Sequence, residues 1–321
     1  MNTDQNKTTR KFTGWALAGI IALAGLGFAV RAVDTSKVAF ATDAAPQTTF
    51  PSPADAATAL AQAAKNTDET ALTKVLGGEA KALITSGDTE SDKAAMQQFF
   101  SKYQQMNRWV DMSDGSRVLY IGADNFAFPV PLAKNTSRSW YFDVVAGAQE
   151  IRAREIGKNE LLAIDAVAAF ASAEQIYADN SDSGNYAQHI ISTPGKQDGL
   201  YWPASDALGS SPLGQLDQLP KSSVTAMSPG QPFVIDGYEL RILTAQGEDA
   251  LGGTQNYIVD GKMTGGFAIL ATPVKYGETG IMSFMIGGEG FVYERDLGPD
   301  TAKLAASIQE YNPDDNWSLI D

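Results

Sequence analysis

Residues 148–178 read AQEIRAREIGKNELLAIDAVAAFASAEQIYA, a helix-compatible composition that only Gly157 interrupts. Leu161, Ile164, Val167, Ala168, Ala171 and Tyr177 recur at helical spacing, so the stretch predicts one long helix with an apolar face. It stops at a polar turn, DNSDSGN (179–185). Strand candidates lie on both sides of it. The helix therefore opens a second domain, with a boundary near residue 150.

Upstream, helices are expected first. Ser52 can cap a helix, Pro53 suits its first turn, and Asp55 suits the positive end of the helix dipole. Thr67-Asp68 restarts a shorter helix that stops at Gly77-Gly78. Met96, Phe99, Phe100, Tyr103 and Met106 mark the core stripe of a third. After Asp114-Gly115 the period changes, and 117–122, 126–132 and 139–145 read as strands joined by polar turns. Pro129 and Pro131 cannot donate to a ladder, which puts that strand at an edge or a bulge. Downstream, 181–232 is rich in Ser, Pro and Gly and reads as a loop region. Strands follow at 238–245, 266–272, 280–286 and 290–295, with a closing helix over 299–310. The expected class is α+β, in two domains: helices plus an antiparallel sheet over 51–150, and a long helix, loop region and antiparallel sheet over 151–321.

The 321 residues include no cysteine and one histidine, with a formal charge of −14. No cysteine means no disulfide, thiolate zinc site, iron–sulfur cluster or cysteine nucleophile. One histidine cannot make a multi-histidine metal site. The charge is unevenly divided. Residues 1–41 carry +3 and the remainder −17, and an acidic body of that size is repelled by phosphate backbones, so nucleic acid is not an expected partner.

The amino-terminal segment has a separate role. Lys7, Arg10 and Lys11 precede the uncharged run Gly14–Val30, a basic-then-apolar order that orients a segment in the membrane. Ala39-Phe40-Ala41 offers the small-x-small pattern of signal cleavage at Ala39 and Ala41. Residues 1–41 thus read as a cleaved signal peptide, as an uncleaved anchor touching the membrane through residues 14–30, or as a buried cytosolic helix. The first two place the body outside the cytoplasmic membrane. Residues 42–50 read as a tether.

Among candidate sites, the loop STPGKQDGLYWP (192–203) is the most site-like, because it joins Lys196 and Asp198 to Tyr201 and Trp202. Polar groups beside aromatic surface suit ligand or partner contact, and the same aromatics are ordinary anchors of a long loop. His189 is the only possible histidine base, and no Gly-x-Ser-x-Gly elbow accompanies it. DNSDSGN places Asp179, Ser181 and Ser183 at alternate positions before Gly184, as in a calcium loop, but Ile190 stands where a bidentate Glu is required. No metal and no cofactor is expected. Glu155 and Glu160 share a helix with Arg152, Arg154 and Lys158, while Glu289 and Glu294 flank a strand and are expected to face water. Trp109, Tyr120, Phe128, Trp140 and Phe142 would form either core or the wall of a pocket in the first domain.

Six segments carry a resemblance: FPSPADA (50–56), IGKNELLAID (156–165), STPGKQDGLYWP (192–203), GYELRILTAQG (237–247), MTGGFAILATPVKYGETGIMSF (263–284) and VYERDLGPDT (292–301). Together they resemble a bacterial exported family known as domain of unknown function 2950, over residues 50–317. The resemblance implies an envelope protein without an established activity. In element order alone, the first domain resembles the cone-shaped nuclear transport factor 2-like domains and the second a pseudopilin head. The functional expectation is an exported, non-enzymatic protein working through protein contacts in the cell envelope. Binding of a small ligand in the first domain is the alternative, and a carboxylate-dependent hydrolase stands third.

Overall fold

The computed structural model describes residues 48–203, 209–214, 224–226 and 231–320. The leader, with Ala39 and Ala41, lies outside these residues. The chain divides into two compact units after Ile151.

The first unit begins with helices whose ends follow from their sequence. In α1 (Pro53–Lys65), Ser52 accepts a hydrogen bond from the Asp55 amide and Pro53 occupies the first turn, as expected. Asp68 caps α2 (Glu69–Leu76) through the Ala71 amide. After the single turn α3 (Lys81–Ile84), Asp88 accepts from the Glu90 and Ser91 amides at the start of α4 (Thr89–Gln105). Each cap satisfies a donor that the helix itself leaves unpaired.

The sheet of this unit is antiparallel, in the order β1 (Asn107–Asp111), β2 (Arg117–Ile121), β4 (Leu132–Lys134), β5 (Trp140–Phe142), with β3 (Phe126–Ala127) paired to β2 off the main path. The stretch expected as one strand over 126–132 is therefore two, separated by the irregular segment that contains Pro129 and Pro131. Leu119, Ile121, Leu132 and Phe142 are fully buried and share a core with Leu60, Leu76, Met96 and Phe99 of the helices.

Helix α5 runs from Val144 to Asn180. It contains a window of mean hydropathy 1.3, apolar enough by composition to span a membrane. Its buried positions Ala163, Val167, Phe170, Ala171 and Ala173 belong instead to the core of the second unit. Gly157 sits in the helix interior with open space around its Cα. Glycine there costs backbone entropy without serving any close approach. Gly157→Ala is expected to stabilise the protein by about 0.5–1 kcal/mol, read as a rise in the urea midpoint.

The second unit is built on a seven-stranded antiparallel sheet. Its strands are β6 (Val224–Ala226), β7 (Phe233–Ile235), β8 (Tyr238–Leu243), β13 (Ala268–Pro273), β14 (Met282–Gly287), β15 (Val292–Asp296) and β16 (Ser318–Leu319), in the order β16-β15-β14-β13-β8-β7-β6. Two small ribbons, β9 (Ala245–Gln246) with β10 (Gln255–Asn256) and β11 (Ile258–Val259) with β12 (Lys262–Met263), lie between β8 and β13 in sequence. The turns of β7–β8 and β11–β12 are Asp236-Gly237 and Asp260-Gly261, with positive φ at all four residues. Two positive-φ residues in a two-residue loop match the right-handed strand twist, which explains the Asp-Gly pairs.

Register assigns the faces. Phe233 pairs with Leu240, and Leu240 with Ala271; the Phe170 ring of α5 lies 5.5 Å from the Phe233 ring, so α5 covers that face. Arg241 pairs with Leu270 on the opposite face, where its guanidinium donates to the Ala305 carbonyl at 2.5 Å and to that of Ile308, closing the end of α6 (Thr301–Ser307). With both faces covered, every residue of β13 is buried, which is why this strand reads as a continuous apolar run. Ser283, fully buried on the α6 face, has a hydroxyl with no hydrogen-bond partner among the described residues. Removing an unsatisfied buried hydroxyl forfeits nothing, so Ser283→Ala is expected to leave stability unchanged within about 0.5 kcal/mol or to raise it, measured by urea unfolding.

Candidate functional site

The carboxy-terminal end of α5 and the segment 185–203 that follows it form the most chemically loaded part of the second unit. The segment folds back on itself. Tyr201 donates its amide to Ile190, Ser192 donates to Tyr201, and Leu200 donates to His189. Gly199 approaches this backbone so closely that a Cβ would lie 2.8 Å from the His189 oxygen. Two side chains of α5 hold the segment: the Tyr177 hydroxyl donates to the Gln197 carbonyl at 2.8 Å, and Glu174 accepts the Ala187 amide at 2.8 Å.

The four residues that the sequence groups together are divided by the structure. Tyr201 and Trp202 are buried, with Trp202 Nε1 donating to the Gly209 carbonyl, so both anchor the segment from inside. Lys196 lies on the exposed tip and Asp198 is half-buried. Asp198 accepts the Thr193 amide at 2.7 Å. Burial acts to raise its carboxyl, but the hydrogen bonds from Thr193 outweigh this and hold it below the usual carboxylate range.

The most displaced acid in the region is Glu174, which sequence reasoning did not single out. It is fully buried, and its second carboxyl oxygen has no hydrogen-bond partner among the described residues. Desolvation pushes its pKa up to about 8, against the smaller lowering by the Ala187 amide. A signal was present: Glu174 continues the row Val167, Phe170, Ala171, whose apolar members all face the core.

The other candidates serve separate local roles. His189 is exposed. In the 179–185 turn, Ser181 and Ser183 both donate to Asn185 Oδ1 at 2.6 Å, and Lys262 donates to Ser183 Oγ. The hydroxyls are thus turned onto their own loop with a cation beside them. Among the described residues no group of three or more His, Asp or Glu could hold a metal ion. Glu160 accepts the Ile281 and Met282 amides at 2.9 and 3.0 Å, fixing α5 to the start of β14. Glu289 is exposed and accepts the Tyr311 hydroxyl.

In the first unit, Phe128, Trp140 and Phe142 are buried, while Trp109 and Tyr120 are half-buried. Phe142 meets Phe50 and Phe128 edge-on, each at 6.2 Å, and Arg117 and Lys134 lie over the Trp140 ring. A cavity of about 30 Å³ lies beside Leu60, Leu76, Met96, Phe99 and Phe128. It has room for about two waters, far below the several hundred Å³ of a ligand pocket.

These features define a two-unit α+β protein with a segment clamped to a long helix by a buried acid. Residues 47–320 match the family described as Protein of unknown function (DUF2950), and the chain belongs to that family. No curated protein and no solved structure matches it, so the likeness to nuclear transport factor 2-like and pseudopilin-head domains rests on element order alone.

Proposed function

We propose that this protein is an exported cell-envelope module, non-enzymatic, that works by binding another protein through the β15–β16 edge of its second unit. The observation that carries the reading is an apolar edge on an acidic unit. Phe291 and Leu319 are each about half exposed. Leu319 pairs with Tyr293, two residues along the chain from Phe291, which immediately precedes β15. Among the described residues β16 is the final strand in the sheet order, and an edge strand offers backbone groups for pairing. Residues 152–321 carry 23 Asp and Glu against 10 Lys and Arg. The complementary partner is therefore a protein surface with apolar side chains set among basic ones. The most strongly displaced titratable groups, Glu174, Tyr238, Tyr257 and Tyr311, are buried parts of the packing, which supports a binding role over catalysis. The basic-then-apolar leader supports export.

The test places a photo-crosslinking residue at Phe291, at Leu319 and at Lys196 in full-length protein in cells. The expected result is one common partner from both edge positions, lost in Phe291→Glu and weakened by salt. Crosslinking from Lys196 alone would move the interface to the loop tip and overturn this placement; none from any position would overturn the binding reading. Residues 1–41 fused to a reporter active only outside the cytoplasm are expected to switch it on, and a silent reporter would overturn export.

A further inference from the structure

Glu174 is a buried acid without a cation. No ion pair to it occurs among the described residues, and its one hydrogen bond runs to Ala187, at the start of the segment that returns over α5. The apolar neighbours at this end of the core include Phe170, Ala173, Ala187, Ile190 and Leu200. The titratable groups nearby are few. Tyr177, three positions along α5, feels the charges of Asp198 and Glu174. Asp198, on the segment, has Lys196 beside it, and His189 on the same segment is exposed. None of these gives the Glu174 carboxylate a counter-charge in the closed arrangement.

We propose that Glu174 is a proton-operated latch: its neutral carboxyl seats the segment 187–201 on α5, and loss of that proton drives the segment off. The segment is suited to detach as a unit, because its internal bonds, Tyr201 to Ile190, Ser192 to Tyr201 and Gly199 to Ser192, survive its release. Among the described residues Glu174 and Tyr177 bond it to α5, and outside α5 Gln188 donates to the Gly261 carbonyl and Leu213 donates its amide to Leu200. Detachment would bare Ile190, Leu200 and Tyr201, turning a pH change into exposed apolar surface.

The sign follows from linkage. Closed, the carboxyl titrates near 8; opened to water, it returns to the ordinary value of 4.5. Between those values opening releases one proton, so the opening constant rises about tenfold per pH unit and levels off above them. Acid keeps the latch shut and alkali loosens it.

Hydrogen exchange of the full chain, corrected for intrinsic rates, tests this. Protection of the Ala187, Leu200 and Tyr201 amides is expected to fall about tenfold per pH unit from pH 5 to pH 8 and then flatten. Glu174→Gln is expected to abolish that slope. A slope that is absent in the wild type, or that persists in Glu174→Gln, overturns the latch. So does protection of these three amides as high as that of the β13 amides, because opening would then be global unfolding. Should Glu174→Gln fail to fold, carboxyl-carbon NMR of the wild type decides. Titration near pH 8 together with a shift of the Ala187 amide supports the latch, and titration in the ordinary carboxylate range overturns it.

Discussion

Glu174→Gln is expected to be more stable than the wild type by about 2 kcal/mol at pH 7 and about 3–4 kcal/mol at pH 9, with no advantage at pH 4. The folded protein holds this carboxyl neutral up to about pH 8, whereas an unfolded chain ionises it at the ordinary value of 4.5. A folded-state pKa above the unfolded one means that folding takes up a proton throughout that interval. The native state therefore keeps its full advantage below pH 4.5, loses it progressively as pH rises, and has lost all of it above 8. At about 1.4 kcal/mol per unit, the loss by pH 7 is about 3 kcal/mol. Glutamine has nothing to ionise and can still accept the Ala187 amide. Its amide nitrogen brings buried donors without a partner, which returns about 1 kcal/mol of that gain. Urea midpoints of both proteins at pH 4, 7 and 9 read the prediction directly. Equal midpoints at all three would mean that Glu174 is ionised and compensated in the native state.

Much of this fold is legible in the sequence, and the exceptions have physical causes. The caps of α1 are written in local spacing, which is why Ser52 and Pro53 do what their positions suggest. Of the stripe expected on α5, Val167 and Ala171 are buried while Leu161 and Ala168 are exposed, because the core-facing row runs through Ala163, Val167, Phe170 and Ala173. Strands β8, β13 and β14 are apolar runs between glycine turns and fall close to their expected bounds. Strand β1 is not readable, because Asn107-Arg108-Trp109-Val110-Asp111 has too few apolar residues and follows α4 directly. Strand β6 hides inside the Ser-, Pro- and Gly-rich stretch 181–232 expected as a loop, and the three-residue β7 follows just after it, although the Asp236-Gly237 pair after β7 is a hairpin signal. The candidate site is legible only in part. Sequence proximity joins Lys196, Asp198, Tyr201 and Trp202, but the segment turns between them, so two face water or its margin and two enter the core. Glu174 escapes because a carboxylate on an apolar stripe reads as a helix-surface residue until the partner face is known.

Gly280→Ala is expected to destabilise the protein by about 3 kcal/mol, a large effect for adding one methyl group. The cause is a crowded corner where α5, β8 and β14 meet. Tyr238, at the start of β8, is fully buried, and its hydroxyl donates to the Met282 carbonyl at 2.8 Å. Glu160 of α5 takes the Ile281 and Met282 amides at the same point. Burial pushes the Tyr238 phenol far above its ordinary range, with the nearby Glu160 carboxylate adding to the effect, so it stays a hydrogen-bond donor at any working pH. The backbone at Gly280 lies against this ring. A Cβ there would sit 2.6 Å from Tyr238 Cζ and 2.8 Å from Cε2, with the hydroxyl oxygen closer still. The ring cannot swing away without abandoning Met282 and displacing Phe284, whose ring centroid is 5.9 Å from its own. Tyr238→Phe alone should cost about 1 kcal/mol by orphaning the Met282 carbonyl. The double variant should cost less than the sum of the two, because removing the hydroxyl removes the nearest obstacle to the new methyl. Gly157→Ala separates this steric effect from a general glycine effect: with open space around it, the same substitution should move the urea midpoint the other way. If Gly280→Ala matched Gly157→Ala in sign, the corner would have to yield, and Tyr238 would not be the rigid post that sets the approach of β8 to β14.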